Sequence, residues 1–189
     1  MRSVPIGSRD QSAIIQTKRK REPRLVFAAV TLALLLPLPL LTQSLWIDEA
    51  SSVWFARLPV ADLLFHLCDP HPPGYYLLLK GWLVFGETEA WLRLPSLLAS
   101  VATVALTAQA GRAILGARVG ALAALLVATF PLQSWYAAEV RMYAVAQALG
   151  VALLLLTWRF LSLPAEDGHD ARQVHTRIAA SFWLVAVVA

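Results

Sequence analysis

Two adjacent carboxylates, Asp48 and Glu49, follow a tryptophan, Trp46, after one intervening isoleucine, in a chain whose neighbouring segments are apolar. Acids in that position can act as a general base, hold a metal ion, or remain solvated loop residues. A second polar island, Cys68-Asp69-Pro70-His71-Pro72-Pro73, holds a histidine between prolines. Prolines fix the backbone and remove amide donors, so His71 stands on a rigid extended turn. There it could meet a phosphate or a metal, or have no function at all. Arg93 and Arg141 carry the forked guanidinium that fits phosphate oxygens, and equally suit snorkelling at a membrane interface. Glu139 and Tyr143 are four apart, which on a helix puts both on one face, pointing toward a cavity. Glu139 and Arg141 are two apart and are not expected to pair. Asp48, His66, Asp69 and His71 could contribute to a divalent-metal site, although no spacing compels one. Cys68 is the only cysteine, so no intrachain disulfide forms, and a small buried filler is its expected role.

These polar groups lie in a chain of 189 residues that is 58% hydrophobic and 15% charged. Its mean hydropathy is +0.61. A soluble domain of this size needs more polar surface, so a membrane protein is expected. The net charge of +4 raises the question of nucleic acid, but seven of the 16 basic residues fall within the first 24 positions. A basic tail ahead of an apolar span reads as a cytoplasmic anchor to anionic lipid, and nucleic-acid binding is set aside.

Residues 1–24 are expected as a disordered cytoplasmic tail. Residues 25–189 are expected as one transmembrane domain, with spans at about 25–43, 94–111, 119–137 and 142–160 and an incomplete one from 178. The first span is read as an uncleaved anchor, because its apolar region is too long for a signal peptide and no small-x-small site follows. Pro37 and Pro39 should kink or end it. An external loop covers 45–93. Within it, 74–86 is too short to span, and Lys80 interrupts it, so an interfacial helix is expected. Tyr75, Tyr76, Trp82 and Trp91 would then be headgroup-layer aromatics. Residues 87–93 read as a polar turn and 112–118 as a basic hairpin. Basic residues gather in the segments assigned inside and acidic ones outside, which places the N-terminus in the cytoplasm. The last apolar run is too short to cross, so the sequence is expected to be the N-terminal portion of a longer protein.

The order of the islands carries a resemblance. Asp48-Glu49 is followed by His71-Pro72-Pro73-Gly74-Tyr75-Tyr76, then Gly86-Glu87-Thr88-Glu89 with Arg93-Leu94-Pro95-Ser96. Tyr136-Ala137-Ala138-Glu139-Val140-Arg141-Met142-Tyr143 completes the set. The chain resembles, over about residues 40–160, the bacterial polyprenyl-phosphate-sugar-dependent glycosyltransferases of the GT-C fold. These are related to protein O-mannosyltransferases and the lipid A aminoarabinose transferase. The resemblance implies an all-α polytopic membrane protein, formed by the N-terminal spans of a GT-C fold with a large first external loop carrying interfacial helices. It further implies a polyprenyl-phosphate-linked sugar as donor and a hydroxyl of a glycan, lipid or protein as acceptor, with inversion. The site would lie on the external face of the plasma (inner) membrane. By the same resemblance Asp48 is the general base, with Glu49 supporting it or helping to bind a cation. His71, Arg93 and Arg141 would meet the donor phosphate, and Glu139 and Tyr143 would line the cavity.

Two other classes fit the apolar pattern. A transporter or flippase would place ionisable groups at mid-membrane on broken helices, and the four expected spans carry none in their interiors. A non-catalytic remnant that keeps the motifs is the other.

Overall fold

The computed structural model describes residues 8–65 and 71–162, together with 176, 179 and 180, and side chains from residue 22 onward. All regular structure in these residues is helical, and the chain is an all-α polytopic membrane protein. Helix α1 spans Ser8–Leu35. The segment expected as a disordered tail is therefore helical from Ser8, which its Gln, Lys, Arg and Ala content favours. Pro37 and Pro39 end α1 as anticipated, in a single 3-10 turn over Leu38–Leu40.

The stretch expected as an external loop, with its exit, forms four helices: α2 (Ile47–Arg57), α3 (Val60–Phe65), α4 (Gly74–Leu83) and α5 (Glu89–Leu115). Helix α5 is 27 residues long and begins five positions before the expected span, with Thr88 accepting the Trp91 amide as its N-cap. The polar turn anticipated at 87–93 thus contributes its last five residues, Arg93 among them, to the start of the helix. Gly116 then turns the chain at φ 101°, a conformation that a residue with a Cβ rarely adopts.

Helices α6 (Ala117–Thr129) and α7 (Pro131–Ala137) occupy the stretch expected as one span, and they are bent from one another by 66°. Pro131 cannot donate back into α6, so the helix restarts there with the proline at its first position. The final helix, α8, covers Tyr143–Leu161. Three segments, Glu22–Leu40, α5 and α8, are long and apolar enough to cross a bilayer, and the bent α6–α7 pair makes a fourth if counted as one. Most of the incomplete span expected from 178, together with His66, Cys68 and Asp69, lies outside the described residues.

Helix α5 is the post around which the others stand, touching α1, α4, α6, α7 and α8. Its lower half meets α1 and α6 through small residues: Ala29, Ala33, Val104, Ala108, Ala124 and Ala128 form one buried cluster. Gly111 and Gly120 let the two backbones touch, since a Cβ on Gly120 would lie 2.4 Å from the Ala108 carbonyl oxygen. Between membrane helices, small residues of this kind supply close packing where lipid offers no hydrophobic drive. Above it, a second cluster of Val53, Ala56, Leu63, Tyr75, Tyr76, Leu79, Leu92 and Val140 holds α2, α3 and α4 against the top of α5. Tyr75 and Tyr76, expected in the headgroup layer, are core residues here. Trp82 and Trp91 stack on each other at 4.9 Å, and the Trp82 indole N–H donates to the Trp91 carbonyl at 2.9 Å. The Lys80 ammonium closes the C-terminus of α2, donating to the Leu58 and Ala56 carbonyls at 2.7 and 3.3 Å.

Candidate active site

The acid pair lies in the first turn of α2, where the helix dipole favours negative charge. From that common start the two carboxylates diverge. Glu49 is fully buried and accepts four hydrogen bonds: Arg93 Nε at 2.9 Å, Arg93 Nη2 at 2.7 Å, the Val140 amide at 2.9 Å and the Trp46 amide at 3.2 Å. Asp48 is partly exposed, and its carboxylate takes no hydrogen bond from the described residues. Asp48 nevertheless acts electrostatically on both Glu139 and Arg141, in the connection between α7 and α8.

The arginines divide in the same way. Besides Glu49, the Arg93 guanidinium donates from Nη1 to the carbonyls of Gln43 at 2.5 Å, Leu41 at 2.9 Å and Leu40 at 3.4 Å. Nη2 also reaches the Ser44 carbonyl at 3.4 Å. These bonds engage all three nitrogens of a side chain that is almost completely buried. The expectation that Arg93 faces a phosphate is corrected accordingly: it ties α5 to α2 and to the segment that leaves the first span. Arg141 is different. Its Nε is buried with no hydrogen-bond partner, and Nη2 makes one long contact of 3.5 Å to the Tyr143 hydroxyl. The guanidinium lies 5.6 Å from the Tyr143 ring, which in turn packs on Tyr136 at 4.8 Å. Burial works against the Arg141 charge, but the Tyr143 bond and the neighbouring phenols and Asp48 outweigh it, so its pKa is raised and the cation persists.

Glu139 and Tyr143 do not share a helical face. Helix α7 ends at Ala137, and residues 138–142 form a non-helical connection, so the four-residue spacing loses its helical meaning there. The two side chains part company. Tyr143 joins Arg141, whereas Glu139 receives the Trp135 indole N–H on Oε1 and leaves Oε2 buried without a partner. Burial pushes the Glu139 carboxyl above its ordinary value, with the charges of Glu49 and Asp48 adding to the rise and Trp135 and Arg141 opposing it. No such pairing of Glu139 with Arg141 is formed as an ion pair, in line with their spacing.

His71 stands partly exposed at the turn into α4. A small cleft places the adjoining Pro72, Gly74 and Tyr75 opposite Met142 and Val145, so this turn faces the residue next to Arg141. Among the described residues no three His, Cys, Asp or Glu side chains converge on one metal position. A separate cavity of about 280 Å³ opens between the end of the first span, α2 and α7. Trp46, Trp135, Gln43, Ser44 and Glu139 line it above the Glu49–Arg93 pair. Sequence reasoning named Glu139 and Tyr143 as cavity residues, and of the two Glu139 lines this cavity. The tryptophans carried a usable signal, one preceding the acid pair and the other four positions before Glu139.

The model of the dolichyl-phosphate-mannose-protein mannosyltransferase family matches residues 70–185. The chain belongs to this family. It is therefore of the membrane glycosyltransferase, GT-C type, as the order of its polar islands led us to expect. No curated protein and no solved structure matches the chain. The family match contains His71, Arg93, Glu139, Arg141 and Tyr143, while Asp48 and Glu49 precede it. In this mannosyltransferase-family chain the Glu49 carboxylate joins the two parts, through its bonds to Arg93 and to the Val140 amide.

Proposed function

We propose that this chain forms the catalytic outer end of a membrane glycosyltransferase that moves a sugar from a polyprenyl phosphate to an acceptor hydroxyl, with inversion. The observation that carries this reading is the division of labour within the acid pair. Glu49 is locked by four donors, whereas Asp48 is left unbonded beside a guanidinium with unused N–H groups.

Asp48 takes the proton of the acceptor hydroxyl as that oxygen attacks the anomeric carbon. The bond from the anomeric carbon to the phosphate oxygen breaks on the opposite side, and the lipid phosphate leaves as an anion. Arg141 neutralises the charge that grows on that phosphate, and His71 approaches it from the facing turn. Glu49 supports the base by holding the first turn of α2 in place. Arg93 acts through Glu49 as a positioning residue. Should a divalent cation take part, Asp48 and His71 are the described residues that could meet it, and it would add charge stabilisation at the phosphate.

The basic N-terminal segment and the acidic outer loop support a cytoplasmic N-terminus and a site on the external face of the plasma membrane. There the lipid tail of the donor stays in the bilayer while its phosphate reaches the interface.

The test is transfer from polyprenyl-phosphate-mannose by the full-length protein in membranes. Asp48→Asn should lower kcat by about 10²–10⁴-fold with Tm unchanged, the range for loss of a positioned general base. Glu49→Gln should lower Tm as well as activity. Transfer at the normal rate by Asp48→Asn would remove Asp48 from the reaction.

A further inference from the structure

We propose that the cavity walled by Trp46 and Trp135 is a subsite for a pyranose ring of the acceptor, separate from the place where the donor phosphate is held. This rests on the transferase reading above and adds the chemical class of the second substrate.

Three observations carry it. First, the cavity is lined by Glu139 but by none of Arg141, Tyr143, His71 or Asp48. A donor sugar is bonded directly to its phosphate and must stay beside the phosphate ligands, so a cavity without them suits the other reactant. Glu139 borders both regions, since it also feels Asp48 and Arg141.

Second, the lining has the two properties a sugar ring needs. Trp46 is 46% exposed and Trp135 55% exposed, so each offers an open indole face to the apolar C–H side of a pyranose. Glu139, only 5% exposed, keeps Oε2 unpartnered, a strong acceptor for a sugar hydroxyl. The exposed side chains of Gln43 and Ser44 add an amide and a hydroxyl. A volume of about 280 Å³ lies at the lower end for small-ligand pockets and fits one ring better than a chain of them.

Third, the wall is built before anything binds. Arg93 holds the carbonyls of Gln43 and Ser44, Glu49 holds the Trp46 amide, and the Trp135 indole is fixed on Glu139. None of these bonds uses the Gln43 or Ser44 side chain, so both stay available to a ligand. Preorganisation of this kind lowers the ordering cost of binding. Tryptophans that serve only as headgroup anchors need no buried orphan carboxylate between them.

The experiment is saturation-transfer NMR on the full-length protein in nanodiscs, with methyl α-D-mannopyranoside and methyl β-D-galactopyranoside as probes and glycerol as control. Saturation should reach the ring C–H protons of at least one glycoside and fall at least fivefold in Trp46→Leu and Trp135→Leu. Both variants keep an apolar side chain, and an unchanged Tm verifies their folding. Glu87→Gln, in the exposed Arg57–Glu87 pair, should bind the glycoside normally, because it does not line the cavity. Added polyprenyl-phosphate-mannose should leave the glycoside signal in place.

No saturation of either glycoside, or full signal in the double tryptophan variant, would overturn the proposal. Displacement of the glycoside by the lipid-linked sugar would reassign the cavity to the donor and overturn it equally. If Asp48→Asn transfers sugar normally while glycoside binding still depends on both tryptophans, the transferase mechanism fails and the subsite stands.

Discussion

Arg93 and Glu49, 44 residues apart in sequence, meet in a two-pronged fork with Nε–Oε1 at 2.9 Å and Nη2–Oε2 at 2.7 Å. Both side chains are nearly inaccessible to water, and every remaining bond they make is to backbone. Removing one partner of such a pair strands the other as a buried, uncompensated charge. Glu49→Ala and Arg93→Ala should each cost about 3–5 kcal/mol. The double change Glu49→Leu with Arg93→Met should recover part of that loss. Thermal unfolding in detergent measures it, and a cost no larger than that of the exposed Arg57–Glu87 pair would show the fork to be incidental.

The Gly111–Gly120 contact makes a sharp demand on side-chain size. A Cβ at position 120 would meet backbone atoms of α5 at 2.4 and 2.5 Å, and backbone cannot step aside as a flexible side chain can. Gly120→Ala should destabilise by on the order of 1–3 kcal/mol, the usual cost of overpacking. Gly150→Ala, where nothing lies within 4 Å of the new methyl, should be neutral or slightly stabilising. Comparing the two melting temperatures separates crowding from a general effect on helices.

Arg141 is the arginine with donors to spare, so its replacement should read out in the donor. Arg141→Gln should lower kcat/KM for the polyprenyl-phosphate sugar by about 10–100-fold, the worth of a hydrogen bond to a charged group. Arg141→Lys keeps the charge and loses the fork, and should fall between. Steady-state kinetics with varied donor at saturating acceptor checks this. An effect on acceptor KM alone would contradict the assignment.

Glu139 predicts a pH dependence whose sign follows from its environment. Its folded pKa is raised, chiefly by burial, so the folded protein holds this proton more tightly than the unfolded chain does. The associated stability is fully present below the ordinary carboxylate value and is lost as pH rises through the raised one. The groups facing it are Trp135, Asp48, Glu49 and Arg141. Glu139→Gln, which cannot ionise, should flatten that fall in Tm between acidic and neutral pH. A Tm profile identical to wild type over this interval would show that burial does not act on this carboxyl.

Much of the fold could be read from hydropathy because lipid imposes so simple a rule. Three long runs without charge, 25–47, 94–111 and 142–158, supply most of the segments that can cross a bilayer, and a helix satisfies their backbone there. The break between α6 and α7 was visible only as Pro131, since a proline near a span end permits either a continuous helix or a 66° turn. Tyr75 and Tyr76 show another limit. An amphipathic ring suits a headgroup layer and a protein core equally, and only the packing of α2 and α3 over α4 decides. The site was legible in its residue types and less so in their roles. Nothing in the spacing of Glu49 and Arg93 marks them as partners, because the folding of two intervening helices, α3 and α4, brings them together. Arg93 and Arg141 look alike in sequence, and their difference lies in which carbonyls happen to be within reach.

The Glu49–Arg93 fork also sets an order of events at the ribosome. Glu49 leaves the exit tunnel well before Arg93, so α2, α3 and α4 are made while that carboxylate has no guanidinium to receive it. An ionised acid without its partner stays hydrated instead of entering an apolar interface. The cap of α2, α3 and α4 therefore settles only after Arg93, in the opening residues of α5, has been synthesised. Until then the newborn loop waits, open and wet, for the next helix to arrive.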